Sequence, residues 1–173
     1  AQNRRWIRLN KTGRVTANYS PHRFIDPDAE AFLSQRFPQL KLDYFGRMLL
    51  NVFGLVSPAN DKLRDERLLI DDCPGYSLGP HSDSPSKVIS CLFYLPLDSK
   101  RPHLGTSFYV PKDPAFRCKG GPHYAFDAFT RVMTFPYVPN SMLAFVKSDV
   151  SFHGVEPFTE GVRQLLLYDI RVK

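Results

Sequence analysis

Apolar residues along this chain come in short runs broken by prolines and glycines, a rhythm that predicts strands. Strand-like pieces lie at 67–72, 87–97, 105–110, 129–137, 142–147, 150–155 and 163–172. Turn signals separate them: Pro74-Gly75, Gly79-Pro80, Pro111, Gly120-Gly121-Pro122, Pro139-Asn140 and Glu160-Gly161. Ahead of them, residues 4–9 predict a short strand. Asp26-Pro27 reads as a helix start, with Asp26 as N-cap, Pro27 at the first helical position and Phe32, Leu33 and Phe37 on the apolar face. Residues 42–56 are apolar enough that periodicity leaves helix and strand both open. The charged stretch 59–67 predicts a short helical turn. Segment 112–128, rich in Pro, Gly, Lys and aromatics, reads as a long loop of the kind that carries function.

A helical front followed by about seven short strands with Gly/Pro turns predicts a mainly β domain with supporting helices, a sandwich or barrel. A jelly roll is one closed solution of that kind. No repeat, low-complexity tract or linker divides the chain. Residues 1–173 therefore read as one domain, with 1–65 as a front segment and 66–173 as the core.

Composition narrows the class. Hydrophobic content of 43% and charge of 23% suit a soluble globular protein. No apolar run reaches the roughly 18–20 residues of a membrane span. The opening AQNRRWIRLN carries charge without an apolar stretch, so no signal peptide is expected. Cys73, Cys91 and Cys118 include no CxxC pair, which argues against a zinc ribbon or a disulfide framework and for a reduced, cytoplasmic setting. Cys91, in an apolar run, reads as packing. The net charge of +6 raises nucleic acid, an anionic membrane surface or acidic substrates as partners. The basic residues are dispersed, however, with Arg4, Arg5 and Arg8 the one dense group, and a solvated basic surface is the plainer reading.

The chemistry concentrates in GYSLGPHSDSPSKVISCLFYLP. His81 and Asp83 stand two apart, which on an extended segment puts both side chains on one face. Pro80 and Pro85 stiffen the segment. SDVSFHGVEPF supplies a third ligand, His153. Two histidines and one carboxylate on one octahedral face leave three positions open, the pattern of non-haem Fe(II) oxygenases, whereas a structural zinc site is closed by four ligands. The open positions suit a bidentate 2-oxo acid and then O2. Arg163 follows His153 by ten residues, in GVRQLLLYDIRV. On a strand adjacent to that of His153 it would face the same pocket, and a buried guanidinium with no neighbouring acid takes a carboxylate.

An HxD alone is weak, but the joint pattern over about 67–172 resembles the 2-oxoglutarate/Fe(II) dioxygenase superfamily in its prolyl-hydroxylase-like branch. The matching features are PHSD, Leu92-Phe93-Tyr94-Leu95, Gly105-Thr106-Ser107-Phe108-Tyr109, Asn140-Ser141-Met142-Leu143-Ala144-Phe145, FHGVEPF and VRQLLLYDI. The resemblance implies a double-stranded β-helix (jelly roll, cupin-like). It implies Fe(II) on His81, Asp83 and His153, and the distal carboxylate of 2-oxoglutarate on Arg163 with help from Tyr94. It also implies hydroxylation of an unactivated C–H bond coupled to decarboxylation of 2-oxoglutarate to succinate, with O2 as oxidant and ascorbate as accessory reductant. Two features depart from the pattern. His103-Leu104-Gly105 replaces a Gly-Gly found in many relatives. Leu165 stands where some carry Ser or Thr, which leaves Tyr94 or Tyr76 to complete the carboxylate site.

His103, Arg117 and His123 are candidate substrate residues, each with the plainer reading of a solvated loop side chain. The expected substrate is a small molecule, a carrier-tethered residue or a protein side chain. Asp83 argues against halogenation, since an iron halide needs the position Asp83 takes. Two alternatives stay open. One is a metal-binding cupin-like module without oxidation chemistry. The other is a nucleic-acid demethylating dioxygenase, for which Trp6 and Tyr19 are the available stacking residues although no recognition motif accompanies them.

Overall fold

The structure, a computed structural model, describes residues 4–9, 15–18, 49, 52, 53 and 63–172. The helix expected after Asp26 and the aromatic Tyr19 lie outside them. Among the described residues run ten strands: β1 (Arg4–Leu9), β2 (Val15–Asn18), β3 (Leu63–Asp72), β4 (Leu78–His81), β5 (Lys87–Tyr94), β6 (Thr106–Pro111), β7 (Phe129–Phe135), β8 (Met142–Val146), β9 (His153–Val155) and β10 (Arg163–Val172). They form a sheet of order β2-β1-β3-β10-β5-β8 and a smaller one of order β4-β9-β6-β7. The pairings are antiparallel.

From β3 onward the chain passes back and forth between the sheets. Counting β3 as the first of eight, the orders are 1-8-3-6 and 2-7-4-5. That is the winding of a jelly roll, the double-stranded β-helix.

The strand pattern explains why these segments extend. In β5 and β10 both faces are covered. Leu92, Tyr94 and Leu165 face the core between the sheets with Ile70, Tyr76, Leu104, Tyr137, Leu143, Val155 and Phe158. Ile89, Cys91, Tyr168 and Ile170 pack on the other face against Leu49 and Phe53. Leu49 is helical and accepts a hydrogen bond from the Phe53 amide, so part of the ambiguous 42–56 stretch is a helical turn. Prolines set two strand ends: β5 stops at Tyr94 before Pro96, and β7 stops at Phe135 before Pro136.

Two expectations need correcting. The charged stretch 59–67 is not a helical turn over its described part, because β3 begins at Leu63 and pairs with β10 through all ten of its residues. Its charges sit on a strand because partners meet them there, as where Arg171 Nε lies 2.9 Å from Glu66 Oε2. β2 and β4 were not expected as strands at all. Both are only four residues long, too short for period-2 alternation to stand out. Among the described residues no helix is long and apolar enough to cross a membrane.

Candidate functional site

His81 is the last residue of β4, and its register partner across the small sheet is His153, the first residue of β9. Their rings lie 4.4 Å apart, centroid to centroid. Gly154 allows this approach, since a Cβ there would collide with the Leu78 carbonyl. Asp83 follows two residues past the strand end, and its Oδ2 is 3.7 Å from His153 Nε2. One ligand atom from each of the three lies within 4.8 Å of the others, and all three residues are buried.

The two imidazoles are oriented alike. Nδ1 of His81 is 3.0 Å from the Gly79 carbonyl, and Nδ1 of His153 is 3.0 Å from the Ser151 carbonyl. A carbonyl only accepts, so each Nδ1 carries the proton and each Nε2 presents a lone pair, as metal-binding histidines do. Burial, then the neighbouring His153, push the His81 pKa down to about 3. Burial also lowers that of His153. For Asp83 burial alone would favour the acid, but the Lys87 ammonium, with the hydrogen bonds from Lys87 and Ser90, outweighs it and holds the carboxyl below its usual range. At neutral pH the set is thus two neutral imidazoles and one carboxylate, the donor set a divalent cation needs. Lys87 Nζ donates to Asp83 Oδ1 at 2.8 Å and Ser90 Oγ to Oδ2 at 2.6 Å, which fixes the carboxylate plane.

The loop after β6 is fastened onto this ligand segment. The Tyr124 amide donates to the Pro80 carbonyl at 2.9 Å, and Ser82 Oγ donates to the Cys118 carbonyl at 2.7 Å. Gly120, at φ 121°, passes so close to the Asp83 carbonyl that a Cβ would strike it. Phe116 and Tyr124 seat the loop on Phe129 and Phe152. The outcome is that His123, exposed to solvent, rests with its ring 4.6 Å from that of His81.

A cavity of about 210 Å³ joins the triad to Arg163; Arg4, Lys87, Ser90, Thr106 and His123 also line it. Arg163 reaches it from the large sheet, whereas His153 belongs to the small one, so the expectation of adjacent strands is wrong. The chain crosses between sheets over residues 156–162, and the two residues line the same cavity from different sheets. The expectation of no neighbouring acid is wrong as well. Arg163 Nη1 donates to Asp72 Oδ2 at 2.6 Å, and Nη2 donates to Thr106 Oγ1 at 2.9 Å. Burial works against the guanidinium charge, but Asp72 and Tyr94 more than restore it, and the pKa stands above its ordinary value. Its Nε is buried with no hydrogen-bond partner among the described residues.

Tyr94 lies beneath Arg163, 5.4 Å from ring centroid to guanidinium, and its hydroxyl donates to Thr106 Oγ1 at 2.8 Å. Tyr76 is buried with its ring 4.5 Å from the Arg4 guanidinium. Neither tyrosine is among the residues lining the cavity, so both stand behind the arginines. His103 lies in a short 3-10 helix and lines a separate groove with Arg131, Met133 and Glu156. Arg117 turns back on its own loop and donates to the Pro114 and Phe116 carbonyls. Of the three candidate substrate residues, only His123 lines the cavity. Sequence reasoning missed Asp72, Thr106, Lys87, Ser90 and Arg4; Lys87 and Ser90 had a signal, lying within seven residues of Asp83.

No model of a known protein family matches the sequence, and no curated protein does. Solved structures do resemble it. A prolyl-4-hydroxylase from Pseudomonas putida is 18% identical at a TM-score of 0.45, over 76% of this chain and 64% of that one. A viral collagen prolyl hydroxylase from Paramecium bursaria Chlorella virus-1, in complex with 2-oxoglutarate, is 14% identical at 0.48, over 77% and 72%. EvdO2 from Micromonospora carbonacea var. aurantiaca, also with 2-oxoglutarate, is 14% identical at 0.49, over 97% and 77%. The chain thus spans less than two thirds of the first of these. The fold itself stands on the strand order given above.

Proposed function

We propose that this chain is an Fe(II)- and 2-oxoglutarate-dependent oxygenase that hydroxylates an unactivated C–H bond. One observation carries the reading: a buried His-Asp-His cluster and a buried arginine face each other across a single cavity of about 210 Å³. That volume is below the roughly 300 Å³ at which drug-sized pockets begin, and suits a small dicarboxylic 2-oxo acid. The donor set fits the metal, since both Nε2 atoms are free for it and Asp83 is ionised. Arg163 lines the far end of the same cavity, where a carboxylate would be received.

Bound iron with 2-oxoglutarate and O2 would supply the oxidation itself. The chain's own share is placement. Lys87 and Ser90 hold Asp83, and the two backbone carbonyls hold the imidazoles. His123, exposed beside His81, is the described residue best placed to meet a prime substrate, whether a small molecule, a carrier-tethered residue or a protein side chain.

A metal-binding module of the same fold is the second reading, favoured by the hold Asp72 has on Arg163. The test is anaerobic addition of Fe(II) and then 2-oxoglutarate, read by the weak visible charge-transfer band of a chelated 2-oxo acid. A band in the parent that vanishes in His81→Ala supports the oxygenase. Metal binding without a band favours the module.

A further inference from the structure

Arg163 alone does not make the far end of the cavity positive. Asp72 sits at the end of β3, and its register partners on the two flanking strands are Arg4 of β1 and Arg163 of β10. Three charged side chains therefore form one row across three strands, on one face of the sheet. Arg4 meets Asp72 with two nitrogens, Nε to Oδ1 at 2.5 Å and Nη2 to Oδ2 at 3.1 Å. Arg163 shares Oδ2 at 2.6 Å. Asp72 is fully buried, and Arg4 keeps a quarter of its side-chain surface exposed. Both arginines line the cavity.

The charge count decides what this row can bind. Arg163 with Asp72 is a neutral pair and has no net attraction for an anion in a poorly solvated site. Arg4 with the same Asp72 is likewise neutral. Only the three together leave one positive charge, which one carboxylate would balance. Lys87 does not replace it: its ammonium lies 2.8 Å from Asp83 Oδ1 and 3.0 Å from Asp169 Oδ2, already between two carboxylates at the metal end.

We propose that Arg4, from the first strand, is a co-substrate-binding residue that supplies the charge Asp72 cancels on Arg163, so that the Arg4–Asp72–Arg163 row receives the distal carboxylate of a dicarboxylic 2-oxo acid. This rests on the oxygenase reading. Asp72 then has a purpose beyond neutralisation. By holding one guanidinium on each side it fixes the angle between two forks before the ligand arrives.

The test is calorimetric titration of the full chain, loaded anaerobically with Fe(II), using 2-oxoglutarate and separately 2-oxobutyrate, which lacks the distal carboxylate. Arg4→Met weakens 2-oxoglutarate by roughly ten- to a hundredfold, the size of one charge-assisted contact, and leaves 2-oxobutyrate unchanged. Arg4→Lys, which keeps the charge, retains most of the affinity. Arg4→Met combined with Asp72→Asn regains it, because Arg163 is then no longer cancelled. Circular dichroism verifies that each variant is folded. Equal 2-oxoglutarate affinity in parent and Arg4→Met overturns the proposal, as does equal weakening of both acids or a double variant that stays weak. A parent that binds Fe(II) but not 2-oxoglutarate overturns the oxygenase reading and this one with it.

Discussion

The two ends of the cavity are built in opposite ways. At the metal end, His81, Asp83, Lys87 and Ser90 lie within ten residues of one another, and of the three triad residues His153 alone comes from far along the chain. At the arginine end every bond is long-range: Arg4 to Asp72 spans 68 residues, Arg163 to Asp72 spans 91 and Arg163 to Thr106 spans 57. The metal end keeps an unpaired lone pair on each histidine. The arginine end satisfies most of its polar atoms internally. One end is built to take a ligand; the other must also hold the sheets together. Variants at the two ends should therefore fail differently.

The largest effect belongs to the arginine end. Arg163→Met removes a cation that is almost fully buried and bonded to both Asp72 and Thr106. Breaking a buried pair from one side costs about 3–5 kcal/mol. Arg4 still faces Asp72, so the expected loss is near the lower figure. Urea unfolding of the metal-free protein measures it. His81→Ala in the same assay should leave stability nearly unchanged, since it removes an imidazole that is costly to bury. Equal losses would end the distinction between the two ends.

Acid should act on the metal end. An unfolded histidine takes up its proton near pH 6.5, whereas folded His81 does so only near pH 3. Between those values the unfolded state binds more protons, so stability of the metal-free protein falls as pH drops through the window. The slope is about 1.4 kcal/mol per pH unit for each such imidazole, and His153 shifts in the same direction. Asp83, with its pKa depressed, adds a further loss below about pH 4 as the carboxylate is protonated. Asp169, raised by burial, works against these, since its cost is felt as pH rises. Melting temperatures at pH 7.5 and 5.5 should therefore differ in the parent and differ less in His81→Ala.

The same contrast explains what the sequence disclosed. His81, Asp83 and His153 were legible because a metal imposes residue types and a spacing that a strand end can satisfy. Most strands were legible because their apolar runs are bounded by proline and glycine. The Arg4–Asp72–Arg163 row was not, since it depends on the registers of β1, β3 and β10, which no local pattern encodes. Arg4 looked like part of a solvated basic terminus, and Asp72 was only the last residue of a strand-like piece at 67–72. The sheet assignment of β9 and β10 failed for the same reason: ten residues of separation fits a hairpin as well as a crossing between sheets.

Lys87 tests whether the local support of the metal end matters. Its ammonium bridges Asp83 and Asp169. Lys87→Met leaves Asp83 held by Ser90 alone and Asp169 with Arg171 as its remaining cation. Loss of an outer contact of this kind lowers metal affinity by roughly ten- to a hundredfold. Titration with Co(II), read by its ligand-field absorption, measures it, and an unchanged affinity would mean that the backbone alone orients the triad.

The smallest effect separates two roles for Tyr94. As a ligand of the co-substrate its hydroxyl would point into the cavity; here it donates to Thr106 Oγ1 at 2.8 Å and accepts the Thr106 amide at 2.9 Å. Tyr94→Phe removes both contacts in a buried place and leaves that amide without its acceptor, at a cost of about 1–3 kcal/mol. Thr106 in turn receives Arg163, so the arginine end should loosen slightly. Because the Tyr94 hydroxyl is engaged by Thr106 and the residue does not line the cavity, the loss appears chiefly in stability, and 2-oxoglutarate affinity in the metal-loaded protein changes by no more than a few-fold. A variant of full stability with a large loss of 2-oxoglutarate affinity would show instead that the hydroxyl turns into the cavity when the ligand arrives. That would give the arginine end a mobile part, which the comparison of the two ends denies.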